Sequence, residues 1–459
     1  MLPASRGPVA LRGRAGCAKT RVTLLEDAAL EPVRKLGLDE IKLSEQSFWE
    51  LSEEIREGAF ATLREQRPVA WFEAPDVGDI PGLEAGSGYW AITRHADVLE
   101  ASRSPELFSS DSSYGGTQII DLPAEYSEFF NGMISMDDPR HARLRGLISA
   151  GFTPRMLGRI EEAVERAARE VIDSVIEKGE CDFVLDVASP FPLMIICDMM
   201  GIPRSQLDFV FDRSNIILGA GDPDYVADVQ DMVMAQLTAG AELAQLMEEL
   251  RTERIAKPTN DITSVLVNAE VDGERLTAQE LSSFFVLLAV AGNETTRTAI
   301  SQGFKALHEN PDQQRLWMDD FDGLNATAIE EIVRWSTPVI HFRRTVTRDT
   351  VIGGQAVKEG DKVVLWYNSA NRDENAFERP FDFDLARSPN EHVGFGGPGP
   401  HFCLGANLAR REITVLFREL FSRMPDIRPT GDPDRLMSFF IHGLKRMPAE
   451  FTPGALSAS

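Results

Sequence analysis

The stretch Phe395-Gly-Gly-Pro-Gly-Pro-His401-Phe-Cys403-Leu-Gly405, running on into Ala406-Asn-Leu-Ala-Arg410, decides how the rest of the chain is read. A loop of Gly and Pro packs no core. Gly permits backbone conformations and close approaches that a side chain forbids. Here it delivers one cysteine to the start of a helix, whose Ala409, Ile413, Leu416, Phe417 and Leu420 recur at the spacing of one buried face. The free N–H groups and positive end of that helix favour a thiolate at Cys403. One thiolate on a rigid loop suits a single strong bond to a metal. A free Cys is most often simply buried, which suits Cys181 and Cys197 in their apolar settings but not Cys403. The loop also contains Gly394-Phe-Gly396-Gly-Pro-Gly399, a GxGxxG pattern. Pro398 and Pro400 interrupt any helix start there, and no βαβ unit surrounds it, so the dinucleotide reading is rejected.

The chain has 459 residues, 43% hydrophobic and 26% charged, with a net charge of -25. That excess of acid argues against a general nucleic-acid binder, which carries a basic footprint. The four cysteines, Cys17, Cys181, Cys197 and Cys403, form no CxxC pair. A disulfide framework or structural zinc site is not expected, and a reducing, cytoplasmic compartment fits. No apolar run near the roughly 18 residues of a membrane span is expected. Residues 1–37 read as a disordered extension, 38–452 as one domain and 453–459 as a tail.

Along the chain, 38–72 reads as helix, with Phe48, Leu51, Ile55, Phe60 and Leu63 on one side, then a turn at Pro68. Trp90-Ala-Ile-Thr reads as a strand and His95–Arg103 as helix. The irregular 104–135 is long enough to be a lid or binding loop. Asp137-Asp-Pro139 starts a helix whose periodicity continues to about 177. Val184–Met200 is strongly apolar, and 204–256 holds two or more helices with a break at 219–223. Thr277-Ala-Gln-Glu280 is a capping box. The helix that it opens can run to Asn310, about 34 residues or about 50 Å, and its apolar stretch from Phe284 to Val290 predicts a path through the interior. A second capping box, Thr327-Ala-Ile-Glu330, opens a shorter helix. Strand signals follow at Thr345-Val-Thr, Thr350-Val-Ile and Lys362–Tyr367. The class is mainly α with small β-sheets.

Three further constellations join the Cys loop. The first is Ala291-Gly292-Asn-Glu294-Thr295-Thr296, in the middle of the long helix. A mid-helix Gly costs about 1 kcal/mol relative to Ala, and a buried acid costs more unless partnered. Side by side they mark a functional site: Gly292 leaves room for a small molecule at the backbone, and Glu294 and Thr295 can pass protons to it. The second is Glu331-Ile-Val-Arg334. Glu-x-x-Arg occurs six times in this chain, starting at Glu31, Glu53, Glu100, Glu248, Glu294 and Glu331. Most read as exposed pairs worth a few tenths of a kcal/mol. Only position distinguishes Glu331, upstream of a β region and a loop whose Arg379 is expected to complete a buried Glu–Arg–Arg cluster. The third is a set of carboxylate binders, His141, Arg145, Arg344 and His401.

In their order and spacing these motifs resemble the cytochrome P-450 family, the haem-thiolate monooxygenases, over residues 40–452. The resemblance implies the cytochrome P-450 fold, with haem b (iron protoporphyrin IX) between the long central helix and the Cys-loop helix. Cys403 would ligate the iron, with Phe395 and Gly292 beside the haem. Glu294 and Thr295 would serve oxygen activation. Glu331, Arg334 and Arg379 would lock the core, and His141, Arg145, Arg344 and His401 would hold the propionates. Phe395 stands eight residues before Cys403, where the commonest family loop has seven. That longer form is similar to an actinobacterial branch, including mycobacterial ω-hydroxylases of methyl-branched lipids and sterol side-chain hydroxylases. The implied reaction is O₂-dependent hydroxylation of a terminal methyl, with Phe285, Leu288, Val339, Ile340 and Phe440 as channel walls. The chain has no fused reductase, so ferredoxin and ferredoxin reductase are the expected electron partners, docking where Arg410 and Arg411 lie near the Cys loop. A peroxide-using peroxygenase and a non-catalytic haem-binding protein are the rival readings. The acid–alcohol pair weighs against both.

Overall fold

The computed structural model describes residues 35–457, apart from 77–85, 122–131, 153, 220, 228–230, 271–272 and 274. Almost all of the expected 1–37 extension lies outside the described residues. The helix expected over 38–72 is instead a short turn (Leu38–Glu40), α1 (Gln46–Glu50) and α2 (Glu53–Gln66), and after the expected turn at Pro68 the chain forms strand β1 (Val69–Phe72). Leu51 and Ser52 are both extended, with ψ of 158° and 154°, and this breaks the helix. Ser52 then starts α2 with Glu53 and Glu54 in its first turn, where acids favour the helix dipole.

After β2 (Tyr89–Ile92), α3 spans His95–Arg103 as expected, and β3 (Phe108–Ser109) follows. Helix α4 (Arg140–Gly151) begins straight after Pro139. The single helix expected to about 177 is interrupted: α5 restarts at Pro154 and ends at Val175. Proline has no N–H to continue the preceding helix. Strand β4 (Glu180–Asp182) leads into a π-helical turn, Phe183–Ala188, and α6 (Pro190–Met200), which Gly201 ends in the left-handed region at φ 78°. Phe183–Met200 is apolar and long enough to cross a membrane, contrary to expectation, and 78% of it is buried inside the protein. Its apolar side chains are core: Phe183 stacks on Phe304 at 4.0 Å.

Helices α7 (Leu207–Gly219), α8 (Met232–Ala256) and α9 (Ile262–Asn268) lead to the central helix α10, Ala278–Glu309. The expected capping box is present. Thr277 Oγ1 accepts from the Glu280 N–H at 3.1 Å, and the Glu280 carboxylate accepts from the Thr277 N–H at 2.8 Å. Helix α11 (Pro311–Asp319) follows. The next helix, α12, starts at Phe321 and runs to Ser336, so the second expected capping box is wrong. Asp320 caps it by accepting the Gly323 N–H, and Phe321 and Leu324 pack on the core. Thr327 lies nearly two turns inside, its hydroxyl bonded to the Leu324 carbonyl.

The C-terminal third supplies the β-structure. β5 (His341–Val346) and β8 (Lys362–Trp366) join the earlier strands in a five-stranded sheet of order β1-β2-β8-β5-β3, in which only the β2–β8 pair is parallel. The hairpin β6 (Thr350–Ile352) and β7 (Gln355–Val357) turns at Gly353-Gly354. A short helix α13 (Tyr367–Ala370) precedes the long loop to Cys403, and α14 spans Ala406–Arg423. Short strands β9 (Arg428–Pro429), β10 (Asp434–Arg435), β11 (Leu444–Arg446) and β12 (Pro448–Glu450) form two small sheets, one including β4. The expected tail from 453 is docked as far as it is described: Gly454 N–H donates to the Ile176 carbonyl, and Ser457 N–H to Asp173.

One apolar cluster surrounds α10, drawing Ile195 and Ile196 from α6, Leu243 from α8, Ile332 from α12 and Leu416 and Leu420 from α14. A second sits on the sheet, where Trp49 stacks on Trp366 at 5.5 Å beside Phe60. Each fully buried large apolar side chain contributes roughly 1.5–3 kcal/mol. The first cluster takes side chains from both α10 and α14 and so fixes one helix against the other, and the Cys loop leads directly into α14.

Candidate active site

Glycine shapes the Cys loop because the loop presses against α3. A Cβ on Gly397 would lie 2.4 Å from Ser102 Oγ, and one on Gly399 would lie 2.1 Å from the Ser102 carbonyl oxygen. Gly396 is left-handed at φ 84°. The loop closes on itself where the Cys403 N–H donates to the Phe395 carbonyl at 3.0 Å. The expectation that the helix end favours a thiolate needs correction. Burial pushes the Cys403 thiol above its ordinary pKa, and the Gly405 N–H and the charges of Arg145 and Arg410 only oppose that rise. Helix α14 begins three residues after the cysteine, which weakens its pull. A metal would reverse the balance, since a coordinating thiol is deprotonated outright.

The four expected carboxylate binders come together beside this loop. The His141 and His401 rings lie 4.4 Å apart between centroids. Arg145 donates to the Pro400 and Phe402 carbonyls at 2.9 and 2.8 Å. Arg344, buried on β5, donates to the Arg343 carbonyl at 2.7 Å. Arg344 and His401 line a cleft with Ser102, Phe108, Tyr367 and Gly396. The His401 pKa is lowered to about 3 by burial and then by the charges of Arg344, His141 and Arg145. Among the described residues Arg145, Arg344 and His401 have no side-chain carboxylate within ion-pair distance. The two guanidiniums without a counter-charge, with the uncharged His401 beside them as a further hydrogen-bonding group, fit a ligand carrying carboxylates.

On α10 the neighbouring Asn293, Glu294 and Thr296 are buried, yet Ala291 is exposed and Thr295 half-exposed in the middle of the helix. Phe395 and Cys403 on the Cys loop are likewise incompletely buried, and open positions of this kind on both elements suit a flat cofactor. Gly292 does not play its expected part. A Cβ there would lie 2.9 Å from Ile196 Cδ1, so this glycine lets α6 approach α10, and Ala291 is the residue that faces open space. The Thr295 hydroxyl donates to the Ala291 carbonyl at 2.5 Å. Glu294 is ion-paired through Oε1 with Arg297, and its Oε2 is buried without a partner. Glu294 and Thr295 are adjacent in sequence without a hydrogen bond between their side chains.

Glu331 lies on α12 at 0% exposure with five donors on its carboxylate. Arg334 binds it through two contacts of 2.7 Å, and Arg387 Nε, the Asp384 N–H and Asn390 Nδ2 complete the shell at 3.0, 2.9 and 3.1 Å. Burial alone would raise its pKa; Arg334, the Asp384 N–H and Arg387 outweigh burial and hold it below the ordinary value. The third member of the cluster is therefore Arg387, not Arg379. The Arg379 side chain is 64% exposed and pairs with Asp382 and Asp384 on the surface. It contributes only its backbone, whose carbonyl accepts from Arg387 Nη2 at 3.0 Å. The acids crowded around Arg379 in sequence foretell that surface role.

Of the expected channel walls, Phe285 and Ile340 are fully buried in the two clusters and are core. Leu288, Val339 and Phe440 are half-buried. The expected docking residues are also engaged: Arg410 binds Glu330 at 2.5 and 2.9 Å and covers the Phe395 ring at 4.5 Å, and Arg411 pairs with Glu165. Arg297, Asn215 and Arg387 escaped the sequence reading. Only Arg297 had a signal, the Glu-x-x-Arg spacing at Glu294, which was one of six and was not singled out.

A family model described as "Cytochrome P450" matches residues 124–424. A methyl-branched lipid omega-hydroxylase of Mycobacterium tuberculosis (strain ATCC 25618 / H37Rv) is 49% identical over 424 residues, covering 92% of this chain and 97% of that protein. A steroid C26-monooxygenase of Mycolicibacterium smegmatis is 42% identical over 405 residues, covering 87% of this chain and 91% of that one. Among solved structures, a Mycobacterium marinum cytochrome P450, CYP268A2, in complex with pseudoionone superposes with a TM-score of 0.84 at 42% identity, covering 92% of this chain and all of that one.

Proposed function

This chain belongs to the cytochrome P450 family and is a monooxygenase, and we propose that it hydroxylates the terminal (ω) methyl of methyl-branched lipids or sterol side chains with electrons from a separate ferredoxin and ferredoxin reductase. The observation that carries this reading is the near end-to-end similarity to the methyl-branched lipid omega-hydroxylase. The described cysteines are free thiols, which supports a reducing, cytoplasmic setting.

The family is one of haem-thiolate enzymes, and the residues present fit haem b. Cys403 would supply the sulfur ligand, and His141, Arg145, Arg344 and His401 the donors for two propionates. The Ala291–Thr295 face of α10 and Phe395 would border the cofactor. When bound, the haem supplies O₂ reduction and the oxidation of an unactivated C–H bond. Overall R–CH₃, O₂, two electrons and two protons give R–CH₂OH and water.

The chain's own residues orient the substrate, exclude water and bring the protons. Thr295 holds a hydroxyl on the open face of α10, tied to the Ala291 carbonyl until a ligand competes for it. Glu294 has one oxygen free of donors and stands next to Thr295 in sequence. It is the acid that brings protons from the interior, a role worth about 10²–10⁴-fold in rate. A terminal methyl has a stronger C–H bond than the neighbouring branch position, so regiochemistry rests on a channel that admits only the chain end. Leu288, Val339 and Phe440 are its candidate walls.

Spectral titration with phytanic acid, a cholestenone and a straight-chain acid, followed by product analysis, tests the reading. Tighter binding of the branched or sterol probe and a primary alcohol product are expected. Tighter binding of the straight chain, or oxidation at the branch carbon, contradicts it.

A further inference from the structure

We propose that Arg297 is a positioning residue for Glu294, and that through Asn215 it ties the reach of this acid to the placement of α7. The inference rests on the reading of Glu294 and Thr295 as the proton route.

The Glu294–Arg297 pair is buried, with side chains 1% and 2% exposed. Removing two charges from water is expensive, and a buried pair is weak evidence for stability by itself. The other contacts of Arg297 come from outside α10. Its Nη1 donates to Asn215 Oδ1 on α7 at 3.0 Å. Its guanidinium lies 5.9 Å from the ring centre of Phe211, also on α7. The Tyr225 hydroxyl bonds to it as well. Tyr225 fits because Gly219, at the end of α7, has no side chain; a Cβ there would meet the tyrosine ring at 2.4 Å. The turn between them is fastened by the buried Asp222, which accepts the Met437 N–H at 2.9 Å and Lys445 Nζ at 3.0 Å. The same C-terminal segment closes on the acid, since a Cβ on Gly443 would lie 3.3 Å from Glu294 Oε1.

Glu294 is therefore held on one oxygen by a guanidinium that α7 and the turn after it hold in turn. The Glu294 Oε2 and Arg297 Nε atoms are both buried without partners, so the assembly is incomplete in this arrangement. For a proton to pass to Thr295, whose hydroxyl is turned to Ala291, the carboxylate has to rotate. Arg297 then either follows, parting from Asn215, or releases its oxygen. Helix α7 packs against α10 and carries the half-buried Phe209, Phe211, Ile216 and Leu218. An apolar substrate lying against α10 displaces these side chains. Its binding thus changes what Arg297 is held by and so what Glu294 can reach, a population shift with named contacts at both ends.

The test uses the holoenzyme with phytanic acid as probe and a surrogate ferredoxin system. It measures product formed per electron consumed, and electron consumption without substrate, for Asn215→Ala, Arg297→Lys, Glu294→Gln and the Asn215→Ala/Glu294→Gln double variant. Asn215→Ala should lower product per electron and raise substrate-free consumption by about three- to tenfold, the range that one ordinary hydrogen bond carries. Arg297→Lys should retain part of the coupling. Asn215→Ala should add nothing in the Glu294→Gln background, because it acts through that acid. Wild-type coupling in Asn215→Ala, or an equal loss with and without Glu294, overturns the proposal, as does a fall in thermal stability with coupling unchanged. Wild-type turnover by Glu294→Gln is a separate result that removes the underlying proton-route reading.

Discussion

Two Glu-x-x-Arg pairs of this chain are buried at i,i+3 and differ in what surrounds them. Glu331 has five donors, two of its neighbours are arginines, and its pKa is held low. Glu294 has one arginine, and its second oxygen is buried with no donor. A fully satisfied network rigidifies, whereas an unpaired buried oxygen is costly and is not fixed by donors of its own. The first joins α12 to the 379–390 loop and sets the platform from which the Cys loop starts. The second joins α10 to α7 and lies on the helix whose face opens on the reaction space. The same four-residue spacing thus serves a lock in one place and a movable acid in the other.

The largest expected effect breaks the lock. Glu331→Gln leaves Arg334 and Arg387 buried without a counter-charge and should cost about 3–5 kcal/mol in chemical unfolding, with loss of haem retention. Arg387→Ala should approach the same loss. Glu294→Gln exposes only one arginine to that penalty, and Asn215 and Tyr225 still hold it, so about 1–3 kcal/mol is expected. Equal losses at Glu331 and Glu294 would erase the contrast between the two pairs.

A third buried acid sharpens the scale. Glu412 on α14 has Thr296 as its side-chain hydrogen-bond partner, and burial, which that bond only partly opposes, raises its pKa to about 8. The folded state then holds a proton that the unfolded state releases above its ordinary value of 4.5. Stability should therefore fall as pH rises between those two values, by up to about 1.4 kcal/mol per pH unit. Glu412→Gln should remove that slope in denaturant titrations at pH 5 and pH 8, and an unchanged slope would refute the assignment. The smallest effect belongs to Arg379→Ala, whose exposed pairs should be worth less than about 0.5 kcal/mol. A loss comparable to that of Arg387→Ala would return Arg379 to the cluster.

Much of this was legible in local pattern. The Cys loop and α14, the capping box of α10, the bounds of α3 and the main strands follow from turn chemistry and periodicity, which act over a few residues. The misreadings arise where tertiary partners decide. Arg379 and Arg387 are both loop arginines, and only the fold reveals that the later one reaches Glu331. Gly292 looked like an opening because glycine has no side chain, but the face of α10 on which it lies is filled by Ile196. Thr327 has a capping-box pattern inside a helix that Asp320 had already started. Glu294 read as a buried acid in need of a partner, but its spacing to Arg297 was one of six alike and did not identify that partner.

Turnover by Glu294→Gln holoenzyme tests the central claim most directly, measured as the rate of primary alcohol formation from phytanic acid alongside the thiolate-type carbon monoxide difference spectrum. The account predicts an intact spectrum, because Cys403 and the Glu331 cluster are untouched, and a rate reduced by about 10²-fold or more. An intact spectrum with a wild-type rate would contradict it and leave Glu294 as a structural acid like Glu331.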